Sequence, residues 1–306
     1  RGEFMVFVIC GRNVPYGRAC RCLESLRAQR GVEYCGVILS DDASDAAAER
    51  GWLFAKARSL FDNDKLTLID TRKQMKMRNM HHCVSRVCTN PDTIIVTLDL
   101  DDCLLPQPHE SVVEYLVNEV FEGAPHTVSE ISQLFMRGVV PRKRFDVALG
   151  GMVRTEKAKQ YRLNFLPRGR PDAGNVWQHL RAFSKELFDN ISWHEFLDDE
   201  GNFLDVGYDW SFMIPIVEQA GESRVLRIPS SKSFYLFEES TRNRHSKHQR
   251  LDHVCAILGH RRKYAPQWAC TRLPTRFEED TRLYVFRVPP ARARSRASMR
   301  DADDIA

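Results

Sequence analysis

The chain has 306 residues, 43% hydrophobic and 28% charged, with a formal net charge of +4 and a pI near 8.6. That is enough chain for one large α/β domain or two small ones, each with a sizeable core, and the composition is that of an ordinary globular protein. Nine cysteines (10, 20, 22, 35, 83, 88, 103, 255 and 270) form no CxxC pair. Their spacing argues against a disulfide scaffold and a structural zinc site, and leads us to expect reduced thiols in a cytoplasm. No apolar run approaches the ~20 residues that span a bilayer. Residues 1–4 read as a vector remnant ahead of Met5, with no signal peptide. The mild positive charge leans towards anionic partners, such as nucleotide phosphates or a membrane surface.

The first hundred residues alternate in type. Residues 5–10 (MVFVIC) are continuously apolar and stop at Gly11, as a buried strand does. Helical spacing over 16–29 follows, then a strand over 34–40, an alanine-rich helix over 43–61, a strand over 65–70, a helix over 73–88 and a strand over 93–99. This alternation predicts a parallel sheet with right-handed crossovers. Beyond it, 108–122 reads as helix, 145–153 as strand, 166–175 as loop, 176–190 as helix and 198–209 as an acidic loop. A helix is expected at 210–220, strands at 224–228 and 232–237, and a basic helix at 246–264; from about 287 the chain turns to Arg, Ala, Ser and Asp and reads as a mobile basic tail.

Ligands of parallel sheets bind at the carboxyl ends of the strands. Here those ends carry Gly11-Arg12-Asn13, Asp41-Asp42-Ala43-Ser44, Asp70-Thr71-Arg72 and Asp99-Leu100-Asp101-Asp102, so acidic and polar residues gather on one rim. The last run places three carboxylates within four positions. Unpaired, they would repel one another and resist desolvation; a divalent cation such as Mn²⁺ or Mg²⁺ relieves this and is commonly shared with substrate phosphates. A solvated turn is the bland alternative. Asp41-Asp42 offers hydrogen-bond acceptors to a base or ribose, or caps the helix that follows, with Ser44 as a second capping candidate. Arg78 on the third helix has a guanidinium suited to a diphosphate, though most arginines simply lie on the surface. The pair His81-His82 is discounted as a metal site, because adjacent residues do not share a helix face.

The order VFVICGRN, ILSDDAS, MRNMHHCV and VTLDLDDCLL resembles the inverting GT-A glycosyltransferases of family 2. The resemblance is strongest over residues 5–105 and continues to about 240 through GNVWQHLRAFSKELFDNI and GYDWSFMIPIVEQAG. It implies an α/β, Rossmann-like GT-A fold: a central, mostly parallel sheet flanked by helices, with a helical C-terminal extension. It implies a domain over 5–245, in which 5–105 binds nucleotide and 106–245 shapes sugar and acceptor recognition, then an extension over 246–286 and a basic tail over 287–306. It also implies that Gly11, Arg12, Asp41, Asp42, Arg78, Asp99 and Asp101 line the nucleotide-sugar donor, UDP-sugar being favoured. The Asp-x-Asp element is present with three candidates; Asp101 and Asp102 are preferred for the metal, and Asp99 as a supporting or ribose residue.

Inverting transfer needs a base for the acceptor hydroxyl and a cation for the leaving diphosphate. The resemblance places the base at Asp209, with Asp205 as fallback; an N-cap is the ordinary role for an aspartate there. It also implies a metal-completing histidine at His245, with His248 second, and Arg242 and Arg244 over the phosphates. Trp177 and His179, with Arg181 beside them, are expected to help bind sugar or acceptor, or else Trp177 joins a buried helix stripe. The expected enzyme is an inverting, hexosyltransferase-type glycosyltransferase acting on a carbohydrate, lipid-linked or small-molecule acceptor. It would act without nucleic acid, in the cytoplasm and in peripheral contact with a membrane through its basic C-terminus. The rivals are a nucleotidyltransferase of sugar metabolism, for which the loop GRNVPYGR is a poor phosphate cradle, and a non-catalytic nucleotide- or sugar-binding module.

Overall fold

The computed structural model describes residues 3–45, 47–71, 75–123, 126–154, 159–160, 178–204, 206–229, 231–238, 264 and 284–287. Strand β1 (Met5–Gly11) shows why its sequence is unbroken by polar residues. Met5, Phe7 and Ile9 enter one core and Val6, Val8 and Cys10 the other, so both faces of the strand are covered. Strands β2 (Gly36–Asp41), β3 (Leu66–Asp70) and β4 (Ile94–Asp99) run parallel to it, β2 and β3 on one side and β4 on the other. The order of strands therefore reverses between β1 and β4, and a crevice opens beyond their carboxyl ends.

Helices cover both faces. Helix α1 (Tyr16–Arg27) and helix α2 (Ala47–Leu60) lie on one, where Ala19, Cys22, Leu23, Leu26, Leu53 and Ala57 are buried. Helix α3 (Lys76–His82) lies on the other and continues into a π-helical turn, Cys83–Val87. Met77, Met80, Cys83 and Val84 form its buried face. Helix α4 (Val112–Val120) is started by a capping box at Ser111 and Glu114. Helix α5 (Val128–Met136) has the same device at Thr127 and Glu130.

Two sequence expectations are corrected here. Residues 145–153 are not one strand. Beta-strand β6 (Val147–Gly150) belongs to the main sheet, and β7 (Met152–Arg154) to a small second sheet with β5 (Cys103–Leu104) and β8 (Lys159–Gln160). The break is at Gly150-Gly151, whose φ angles of 114° and 76° favour glycine, and a Cβ on Gly151 would meet the Lys232 carbonyl at 2.5 Å. Nor is 178–184 helical. Strand β9 (Arg181–Ser184) is wholly buried, antiparallel to both β4 and β6, and only the short helix α6 (Lys185–Asp189) follows. A strand covered on both faces lacks period-two alternation, so its pattern is that of a buried helix segment.

Helix α7 (Tyr208–Ala220), strand β10 (Val225–Ile228) beside β6, and strand β11 (Tyr235–Phe237) in the small sheet complete this part. Strand β12 (Tyr284–Arg287) pairs antiparallel with β3, so the end of the stretch expected to be helical is strand. The main sheet has the order β10-β6-β9-β4-β1-β2-β3-β12. The protein is thus an α/β fold with a mostly parallel central sheet flanked by helices. Among the described residues no helix is long and apolar enough to cross a membrane.

Candidate functional site

The acidic run leaves β4 at the crevice. The Leu100 N–H donates to the Cys10 carbonyl at 3.4 Å, and the Asp102 N–H to the Asp99 carbonyl at 3.0 Å, which folds the run into a tight turn over the end of β1. Gly11 makes this packing feasible, since a Cβ there would lie 2.7 Å from the Leu100 side chain. Leu100 points down into the core and its acidic neighbours are left around the crevice.

Asp99 is the electrostatic centre. Its Oδ1 is 2.7 Å from Lys76 Nζ on α3 and accepts from the Tyr208 hydroxyl at 3.3 Å. His179 Nε2 lies 3.5 Å from Oδ2, and a terminal nitrogen of Arg181 lies 3.8 Å from Oδ1. Burial disfavours the charged form of Asp99, but Lys76, His179 and Arg181 outweigh it and hold the carboxyl well below its usual range. His179 is buried; burial and the Arg181 cation bring it down to about 4, against the pull of Asp99. It is therefore a neutral imidazole at physiological pH.

Asp102 has the opposite environment. It is 2% exposed, and burial, reinforced by Asp99 and Asp101, pushes its carboxyl up to about 8. Among the described residues its hydrogen-bond donors are neutral: the Tyr235 hydroxyl at 2.7 Å and the Glu238 N–H at 2.9 Å. Tyr235 also accepts from the Asp99 N–H at 3.2 Å and stacks on His179 with centroids 4.2 Å apart. Glu238 is held in turn by Arg18 and Arg21 of α1, at 3.1 and 2.8 Å. Asp101 is half-buried, and burial together with Asp99 raises its carboxyl.

Asp99, Asp102 and His179 each offer a ligand atom within 4.8 Å of the others. Two hard oxygens and a neutral imidazole suit Mn²⁺ or Mg²⁺, and a buried carboxyl raised by its acidic neighbours is what a divalent ion would relieve. The residues present therefore fit the expected cation. They do so through Asp99 and Asp102, with His179 where sequence pointed to a sugar contact. Asp101 stands outside this group.

Asp209 comes from the first turn of α7. The N-cap position is Gly207 and no side chain caps the helix, so capping does not account for this aspartate. Its Oδ2 is 3.5 Å from the other terminal nitrogen of Arg181. Burial raises its carboxyl against the opposing pull of Arg181. The crevice thus joins a strongly ionised carboxylate, two carboxylates raised by burial and by their acidic neighbours, a neutral histidine and a helix-borne carboxylate.

The remaining candidates divide. Arg12 pairs with Asp45 at 3.2 Å, and Asn13 bonds Ser44 and Asp45, which ties together the loops after β1 and β2. Asp41 is buried and accepts from the Ser44 N–H at 2.8 Å and its hydroxyl at 2.5 Å; Asp42 is also buried beside it. A cleft bounded by Val14, Tyr16, Asp41, Ser44, Arg50 and Leu100 opens there. Arg78 lies over the Phe203 ring at 5.7 Å, and the basic residue of α3 that reaches the acidic run is Lys76. His81 sits among Phe188, Trp193 and Phe196. Trp177, Asp205, Arg242, Arg244, His245 and His248 lie outside the described residues.

Sequence reasoning passed over Lys76, Tyr208 and Tyr235 and gave Arg181 only a sugar contact. Lys76 and Tyr208 stood beside quoted motifs, in KMRN and GYDW; Tyr235 carried no signal beyond an apolar strand.

No family model matches the sequence, and no curated protein matches it. Among solved structures, the chain is similar to S. aureus TarS 1–349 in complex with UDP-GlcNAc: TM-score 0.49, 12% identity, covering 79% of this chain and 60% of that one. It is also similar to the mannosyltransferase PcManGT from Pyrobaculum calidifontis in complex with GDP-Man and Mn²⁺: TM-score 0.46, 17% identity, covering 82% and 61%. The chain spans 37% of the longer TarS chain.

Proposed function

We propose that the protein is a glycosyltransferase that moves a sugar from a nucleotide-diphosphate sugar, UDP-sugar favoured, to an acceptor hydroxyl with inversion and the help of a divalent cation. The observation that carries this is the meeting of Asp99, Asp102 and His179 at the strand-order reversal, with Asp209 facing the same crevice across Arg181. A binding module has no need of a helix-borne carboxylate poised apart from the cation ligands.

In this reading the nucleoside occupies the cleft beside Tyr16, Asp41 and Ser44, and its diphosphate reaches towards Asp101 and the Asp99–Asp102–His179 group. Bound Mn²⁺ or Mg²⁺ would supply charge neutralisation for the departing diphosphate. Asp209 takes the proton of the acceptor hydroxyl as its oxygen attacks the anomeric carbon. The bond from that carbon to the diphosphate oxygen breaks, and the nucleoside diphosphate leaves with the electron pair. Its raised proton affinity suits a group that must accept a proton, and the Arg181 cation beside it keeps the carboxylate accessible. Trp177, His245, Arg242 and Arg244 are proposed around sugar, cation and phosphates on the strength of the sequence resemblance. We place the activity in the domain over 5–245, in the cytoplasm, with the basic C-terminus towards a membrane surface.

The deciding experiment is a thermal-shift panel of UDP-, GDP- and dTDP-sugars with and without Mn²⁺. Ligand that binds the native state raises apparent stability by mass action. One nucleotide class is expected to stabilise the protein only with metal, and Asp102→Ala to abolish the effect. A panel with no metal-dependent shift overturns the assignment.

A further inference from the structure

Arg181 is 1% exposed, yet it carries a full positive charge into the centre of the molecule. It sits on β9, whose backbone pairs Arg181 with Thr97 of β4 on one side and Leu149 of β6 on the other. Its position is therefore set by the sheet and not by a loop. One terminal nitrogen contacts the His179 ring, 2.5 Å from Nε2 and 3.2 Å from Nδ1, and lies 3.8 Å from Asp99; the other lies 3.5 Å from Asp209, while the Phe212 ring is 5.7 Å from the guanidinium carbon. Nε and the nitrogen facing Asp209 have no hydrogen-bond partner among the described residues. The fork is held near both carboxylates without closing on either as a hydrogen-bonded pair. An ion pair built only to stabilise the core would be expected to close, because buried charges are tolerated when their hydrogen bonds are satisfied.

From this geometry we infer that Arg181 is a positioning residue, which holds the base carboxylate Asp209 charged and at a fixed distance from the donor-side carboxylate Asp99. The inference rests on the reading of Asp209 as the base. Two carboxylates desolvated in one crevice disfavour each other's ionised form. A planar guanidinium presents nitrogens to both at once, whereas an ammonium is a single point charge that serves one at a time. Asp99 has a second cation, Lys76, at 2.7 Å, and Asp209 has none nearer than Arg181 among the described residues. Loss of Arg181 should therefore fall mainly on Asp209, and on transfer more than on donor binding.

The test is a double-mutant cycle on the full chain, using the UDP-sugar that gives the largest shift in the thermal-shift panel. Wild type, Arg181→Met, Asp209→Asn and the double variant are compared for turnover and for binding of UDP with Mn²⁺. Asp209→Asn is expected to lower kcat by about 100-fold or more, and Arg181→Met by about 30-fold, with UDP affinity changed by less than about fivefold. The double variant should be no worse than Asp209→Asn alone within about threefold, because residues that act as a unit are non-additive. Arg181→Lys, which keeps the charge and loses the fork, should recover less than about a tenth of kcat; if Arg181→Met does not fold, Arg181→Lys carries the cycle instead.

Multiplying losses in the double variant, or equal losses in UDP affinity and turnover, overturn the inference while leaving the assigned activity standing. Wild type without turnover, or Asp209→Asn with full turnover, overturns the reading on which it rests.

Discussion

The Tyr235 hydroxyl donates to Asp102 Oδ2 at 2.7 Å while its ring stacks on His179 at 4.2 Å, so one side chain braces two members of the candidate metal group. Tyr235→Phe keeps the stack and deletes the bond. Leaving a buried hydrogen-bonding group without its partner costs about 1–3 kcal/mol, so the variant should fold with a modestly lower Tm. Its Mn²⁺-dependent thermal shift should shrink, because Asp102 is no longer oriented. An unchanged shift would mean that Tyr235 only packs.

Asp209→Asn removes the proton acceptor and keeps the shape of the first turn of α7. Donor binding, measured by titration calorimetry with Mn²⁺ present, should be retained, and transfer should fall by about 10²–10⁴-fold, the range attributed to a positioned base. Parallel loss of binding and transfer would mark Asp209 as structural.

Gly11→Ala tests the packing beneath the acidic turn. The new methyl would begin 2.7 Å from Leu100 and must push it, together with the run from Asp99 to Asp102. Overpacking of this kind costs about 1–3 kcal/mol. Denaturant unfolding should report that loss, and the metal-dependent ligand shift should weaken along with it. A stable variant with an intact shift would show that the turn accommodates the methyl.

His81 provides a pH signature remote from the crevice. Burial, aided by the cations Arg86, His82 and Lys185, brings its imidazole down to about 3. In the unfolded chain it takes a proton near pH 6.5. Below that pH the unfolded state binds the proton and the native state does not, so this residue's contribution is complete above about pH 6.5 and is lost progressively as pH falls towards 3. His81→Phe should flatten that part of the stability–pH curve, as read by chemical denaturation at a series of pH values. An unchanged slope would place the acid sensitivity elsewhere.

The residues that sequence made legible are those whose chemistry and position coincide along the chain. Val6 to Cys10 announces a buried strand because every position is apolar, and Ile94 to Leu98 because every position but Thr97 is; the acids at their ends follow from the direction of a parallel sheet. The place of Asp209 at the start of a helix follows from the GYDW context. His179 and Arg181 were read on a helix, because a strand buried on both faces leaves no alternation to detect. Lys76 and Tyr235 meet Asp99 and Asp102 only through tertiary packing across long stretches of chain, which local pattern does not encode. The preference between aspartates shifted for the same reason: Asp99 and Asp102 converge with His179 because the turn at Leu100 brings them round.

The threading of β9 between β4 and β6 bears on how the chain matures. During synthesis β1 to β4 emerge well before β9, and until it arrives β4 is an apolar border strand with open backbone donors and acceptors. Such a border recruits strands from other chains. Fragments that stop short of residue 181 should therefore aggregate where the longer chain does not, and capture of β9 would be the step that both seals this border and brings Arg181 to Asp99.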